Sequence, residues 1–168
     1  MIVLGIDPGL ASTGYALVEE REGKLELLSA GCLRTPSTMP EPERLCQIYF
    51  GIMQILQKTL VDAVAIEQLF FNTNVTTALS VGQARGVIVL AVALSGIQTA
   101  EYTPLQVKQA ISGYGRADKT QIGRMVQSVL RLPDLIKPDD AADAAAIAIC
   151  HLQSYRHAKA IARGLNNV

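Results

Sequence analysis

The stretch Ile2-Val-Leu-Gly-Ile-Asp7-Pro-Gly-Leu-Ala-Ser-Thr-Gly14-Tyr-Ala-Leu-Val18 constrains the chain more than any other. An apolar run of strand length stops at Asp7, Pro8-Gly9 marks a turn, and a second β-prone run begins at Tyr15. The pattern predicts a buried strand, a tight turn and a return strand, with a carboxylate left at the lip of the sheet. An unpaired charge there is costly, and the first basic residue in the chain is Arg21. Two readings of Asp7 stand side by side: an aspartate that opens a turn, and one that binds a cation.

Lys24 to Arg34 alternates enough to form a third strand, completing an antiparallel meander from Ile2. Residues 35–42 form a loop, and Glu41-Pro-Glu-Arg44 opens a helix, with acids and a proline where a helix start favours them. Leu45, Ile48, Tyr49, Ile52, Ile55 and Leu56 recur at helical spacing to about Leu60. Val61-Asp-Ala-Val-Ala-Ile-Glu67 repeats the design of the first strand, an apolar run ending in one acid. A helix between two strands is expected to make them parallel, which brings Glu67 to the same sheet edge as Asp7.

Residues 68–74 form a polar loop around Leu69-Phe70-Phe71. A long helix spans residues 76–95. Its run from Val87 to Leu94 is apolar all round, so it is buried on more than one side, by the core or by a second subunit. Ile97 to Tyr102 is a fifth strand. Helices follow at 104–112 and at 118–132, the latter with Asp118 as N-cap. The final helix opens at Pro138-Asp-Asp-Ala-Ala-Asp143 and is expected to run to about Tyr155, with 156–168 a loosely ordered tail. The order of elements predicts an α/β fold, with one mixed five-stranded sheet and helices on both faces, in a single domain over 1–168.

Composition narrows the function classes. Apolar residues make up 49% of the chain, enough for a core. The longest apolar run is far short of the ~20 residues a bilayer crossing needs, so no membrane association is expected. Cys32, Cys46 and Cys150 are odd in number and scattered, which suits a reducing cytoplasm and indicates neither a zinc site nor a disulfide framework. Net charge is zero, but residues 1–80 hold five Lys/Arg and nine Asp/Glu (−4), and residues 81–168 hold ten and six (+4). That asymmetry permits a phosphate-rich partner without demanding one.

Asp140 and Asp143 share a face of the last helix. Asp139 and Asp140 can cap it; Asp143, deeper and flanked by alanines, is harder to explain as a cap. The small apolar run Ala141 to Cys150 predicts a helix packed tightly on the sheet. Asp7, Glu67, Asp140 and Asp143 are thus four acids on apolar elements without a basic neighbour in sequence. Brought together they would repel and raise one another's pKa values unless cations intervene. An all-oxygen donor set favours Mg²⁺ or Mn²⁺, and paired hard ions are the usual apparatus of phosphodiester hydrolysis.

Taken together, Gly-Ile-Asp7-Pro-Gly-Leu-Ala-Ser-Thr-Gly-Tyr, Ile-Glu67-Gln-Leu-Phe70, Gly82-Gln-Ala-Arg-Gly86, Gln106-Val-Lys108-Gln and Asp140-Ala-Ala-Asp143-Ala resemble the RuvC family of bacterial Holliday junction resolvases, over nearly the whole chain and in the family's order. The resemblance implies an RNase H-like fold and a Mg²⁺-dependent homodimer, with Mn²⁺ as a substitute and two ions per site once DNA is bound. Each subunit would nick one of two opposed strands of a four-way junction, leaving 5′-phosphate and 3′-hydroxyl ends. The family's acidic quartet falls on Asp7, Glu67, Asp140 and Asp143. Its flanking basic residues fall on Lys108 and Lys119, and its aromatic beside the scissile step on Phe70, although Phe71 follows directly. A branch-migration motor is implied as a partner.

Without the resemblance, Lys108 and Lys119 read as solvated helix lysines, and Phe70 as a core anchor or a wedge at a base step. Arg85 has three readings: a phosphate contact, a partner for Glu67, or a contact to a second subunit. His151 reads as a packing or capping residue. Competing functions are a nuclease acting on RNA–DNA hybrid, a sugar-kinase or chaperone-type ATPase, and a non-catalytic junction binder.

Overall fold

The computed structural model describes residues 1–68 and 75–165, with side chains excepted for 75–77 and 163–165. Strands β1 (Ile2–Asp7), β2 (Ser12–Arg21) and β3 (Lys24–Arg34) form the antiparallel meander, turning at Glu22-Gly23 with both residues at positive φ. Helix α1 (Glu41–Lys58) leads to β4 (Ala63–Glu67), and α2 (Val75–Leu94) to β5 (Gln98–Tyr102). Helices α3 (Pro104–Ser112), α4 (Lys119–Val129) and α5 (Asp139–Leu165) complete the chain. The sheet order is β3-β2-β1-β4-β5, with β1, β4 and β5 parallel. This is the RNase H-like arrangement that the resemblance implies.

Two apolar layers hold helices to opposite faces. Alternation along β1 sends Leu4 and Ile6 towards Ile48 and Ile52 of α1 and Ala84, Ile88 and Val92 of α2. Val3 of β1 and Ala63 and Ala65 of β4 face the other way, into α3, α4 and α5. By the same alternation, Asp7 and Glu67 belong to the α5 face.

Local sequence sets the helix ends. Reciprocal capping boxes start α3 (Thr103 with Gln106) and α4 (Asp118 with Gln121), and Gly113 closes α3 at φ 76°. Helix α4 stops at Val129, three residues before the expected end, because the chain turns left-handed at Arg131. A larger difference lies at the C-terminus. The tail expected to be loose from residue 156 is helical to Leu165. Its residues 156–162, rich in Ala, Lys and Arg, are good helix formers, and Arg156 ties the turn to Glu20 of β2 at 2.7 Å. No helix among the described residues is long and apolar enough to cross a membrane.

Candidate active site

The site forms where parallel strands β1 and β4 end. Ile6 sits beside Ile66 in the register, so Asp7 and Glu67 follow as neighbours on one face. After Asp7 the chain turns through Pro8-Gly9 and is tied down: the Thr13 hydroxyl donates to the Gly9 carbonyl at 2.7 Å. Buried Thr35 donates its hydroxyl to the Leu10 carbonyl and its N–H to Ala11, and Arg44 donates to the Thr35 hydroxyl at 2.8 Å. The loop carrying the first carboxylate is therefore fixed by β3 and α1.

Helix α5 supplies the other two aspartates, and two glycines let it in. A Cβ on Gly5 would lie 2.0 Å from the Ala144 carbonyl oxygen and 2.8 Å from the Ala148 nitrogen. One on Gly14, which pairs with Asp7 across β1 and β2, would lie 2.0 Å from the Asp140 carbonyl oxygen. With fully or nearly fully buried Ala141, Ala144, Ala145 and Ala148 as its contact surface, the helix backbone rests directly on the strands. This close approach delivers Asp140 and Asp143 to Asp7.

One carboxylate oxygen from each of Asp7, Asp140 and Asp143 lies within 4.8 Å of the other two. Glu67 stands outside this tight trio but is electrically part of it. Burial pushes the Asp7 carboxyl up to about 7, and Glu67 is the next largest cause, followed by Asp143 and Asp140. Glu67 is itself raised, by burial and then by Asp143, with Lys108 and Lys119 acting in opposition. Lys119, from the first turn of α4, pairs with Asp143 at 2.8 Å, and that bond holds its ammonium above the usual lysine range. Asp140 instead accepts a 2.6 Å hydrogen bond from the Ser12 hydroxyl. Two ammoniums, Lys119 paired with Asp143 and Lys108 beside Glu67, thus face four carboxylates. The deficit of positive charge, the all-oxygen donors and their spacing fit a hard divalent cation.

The family model for crossover junction endodeoxyribonuclease RuvC matches residues 3–151. The chain belongs to the RuvC family. It is 54% identical over 154 residues to the RuvC of Desulfitobacterium hafniense, covering 92% of this chain and 93% of that one. Thermus thermophilus RuvC superposes with a TM-score of 0.87 at 35% identity, over 94% of this chain and 97% of that one. The structure of T. thermophilus RuvC in complex with Holliday junction substrate gives 0.86 at 32% identity, over 94% and 96%.

In this RuvC-family chain Lys108 and Lys119 line one groove with Glu67 and Asp143, over an apolar floor that includes Val107 and Ile122; the groove holds about 220 Å³. Arg85 is elsewhere. Its guanidinium pairs with Glu101 of β5, not with Glu67. Phe70 and Phe71 lie outside the described residues. His151 packs at the far end of the sheet, its Nδ1 3.0 Å from the Tyr102 hydroxyl and its ring stacked on Tyr155. Asp139 pairs with Lys137 at 2.8 Å. Gly5, Ser12 and Gly14 fall inside the motif around Asp7, which does not say what any of them does. Only the tightness implied by the alanine run of α5 hints that something opposite it must be small.

Proposed function

We propose that the chain is a structure-selective endodeoxyribonuclease that resolves four-way DNA junctions in recombination and repair, by metal-dependent hydrolytic nicking of two opposed strands. The observation that carries this reading is the carboxylate cluster at the ends of β1 and β4, closed by the first turn of α5. Asp7, Glu67, Asp140 and Asp143 would hold Mg²⁺, or Mn²⁺ in its place, as two ions once DNA is bound. Such ions supply activation of the attacking water and stabilisation of the departing 3′ oxygen. The products are a 5′-phosphate and a 3′-hydroxyl.

The chain's own residues do the rest. Lys108 and Lys119 flank the groove and attract the phosphate backbone. The Lys119–Asp143 pair holds that carboxylate in one orientation, and the glycine-seated helix fixes its distance from Asp7. Phe70 is proposed to meet an unstacked base beside the cut. Arg85, paired with Glu101 in the free chain, is proposed as a further phosphate contact.

Two opposed cuts need two sites, so the working unit is a homodimer. Its interface includes α2, whose Leu79, Leu90 and Leu94 are 66%, 53% and 65% exposed on a helix with no charge in its first or last turn. The enzyme acts in the cytoplasm alongside a branch-migration motor.

Substrate competition tests the reading. With Mg²⁺, a synthetic four-way junction is expected to be nicked in preference to linear duplex and to RNA–DNA hybrid. Preference for the hybrid would assign the chain to a different nuclease activity.

A further inference from the structure

Asp140 occupies the first turn of α5, where helix N–H groups lack partners within the helix. A short carboxylate there is free to turn back and cap its own helix. In this chain it does not stand alone: the Ser12 hydroxyl, at the start of β2, donates to Asp140 Oδ2 at 2.6 Å across 128 residues of sequence. The pairing is neutral, so it occupies one oxygen and orients the group without supplying the opposite charge, in contrast to the Lys119 ammonium on Asp143.

The serine is itself held. It is the first residue of β2, paired with Arg34 of β3 in the sheet register. Cys32 stands opposite Gly14 in the strand register, and the Asp140 backbone rests on Gly14. Two strands and the helix therefore meet at one point behind the carboxylate cluster.

We propose that Ser12 is a positioning residue of the metal centre, holding Asp140 so that its second oxygen faces Asp7 and Asp143. The inference rests on the nuclease reading above. Hydrogen bonds from outside the ligand set fix ligand orientation, and their loss commonly costs about 10–100-fold in metal affinity or activity.

The test is Mn²⁺ titration by calorimetry on the full chain without DNA, for wild type, Ser12→Ala, Ser12→Thr and Asp7→Asn. Thermal unfolding in chelator is run on each. Ser12→Ala is expected to unfold within a few degrees of wild type in chelator, yet to bind Mn²⁺ about 10–100-fold more weakly. Ser12→Thr, which keeps the hydroxyl, is expected to recover most of that affinity. Wild-type affinity in Ser12→Ala, or equal loss in Ser12→Ala and Ser12→Thr, would overturn the positioning role while leaving the nuclease reading intact. Absence of Mn²⁺ binding by wild type, or undiminished binding by Asp7→Asn, would overturn the metal centre and the positioning role with it.

Discussion

Replacing Gly14 with alanine tests whether the helix really rests on the strand. The added methyl carbon would lie 2.0 Å from the Asp140 carbonyl oxygen, 2.5 Å from its carbonyl carbon and 3.0 Å from its Cβ. The obstructing atoms are backbone, so no side chain can rotate out of the way. Contacts of this kind begin near 3.0 Å, and the start of α5 must therefore retreat from β2 by about 1 Å, a misplacement on the scale that costs about 100-fold in rate. Overpacking of this sort destabilises by about 1–3 kcal/mol. We expect Gly14→Ala to remain folded at moderate temperature, to bind a four-way junction in Ca²⁺ as wild type does, and to nick it about 100-fold more slowly in single-turnover assays with Mg²⁺. A wild-type nicking rate in a variant of unchanged stability would refute the claim that Gly14 sets the distance between Asp140 and Asp7.

Further outcomes follow from burial and exposure. In metal-free protein the Asp7 carboxyl, about 7 when folded against 3.8 in the free side chain, keeps a proton that the unfolded chain releases. Its contribution to stability is full below about pH 4 and is lost as pH rises through 7, by at most about 4 kcal/mol. Urea midpoints in chelator should fall between pH 5 and 7.5 for wild type and fall less for Asp7→Asn, with the remaining slope owed to Glu67; parallel profiles would contradict the burial argument. On α2, Leu90→Glu places a charge on a side chain 53% exposed in the single chain. Sedimentation should show wild type as a dimer at micromolar concentration and the variant shifted towards monomer, whereas a wild-type monomer would remove the two-site scheme.

The sheet edge was legible in the sequence because Asp7 and Glu67 each end an apolar run, and a helix between the runs forces parallel pairing. Asp143 was legible as an acid too deep in its helix to be only a cap. What the sequence concealed depends on contacts between distant segments. The alanine run of α5 implies close packing, but nothing in the sequence identifies Gly5 and Gly14 as the surfaces beneath it. Ser12 lies 128 residues from Asp140 and looks like any turn serine. Arg85 has several carboxylates available in sequence, and only the β5 position selects Glu101. The continuation of α5 beyond Tyr155 has local support in the helix formers of 156–162, but the tie from Arg156 to Glu20 that anchors it is long-range and not visible in the local pattern.

If the carboxylate cluster performs metal-dependent cutting of a four-way junction, cleavage needs both the metal and Asp7 while binding needs neither. The most direct measurement pairs junction binding with strand nicking for wild type and Asp7→Asn, in Mg²⁺ and in chelator. Wild type should nick two opposed strands only with the metal, and Asp7→Asn should bind the junction without nicking it. Nicking in chelator, or nicking by Asp7→Asn at the wild-type rate, would contradict the account.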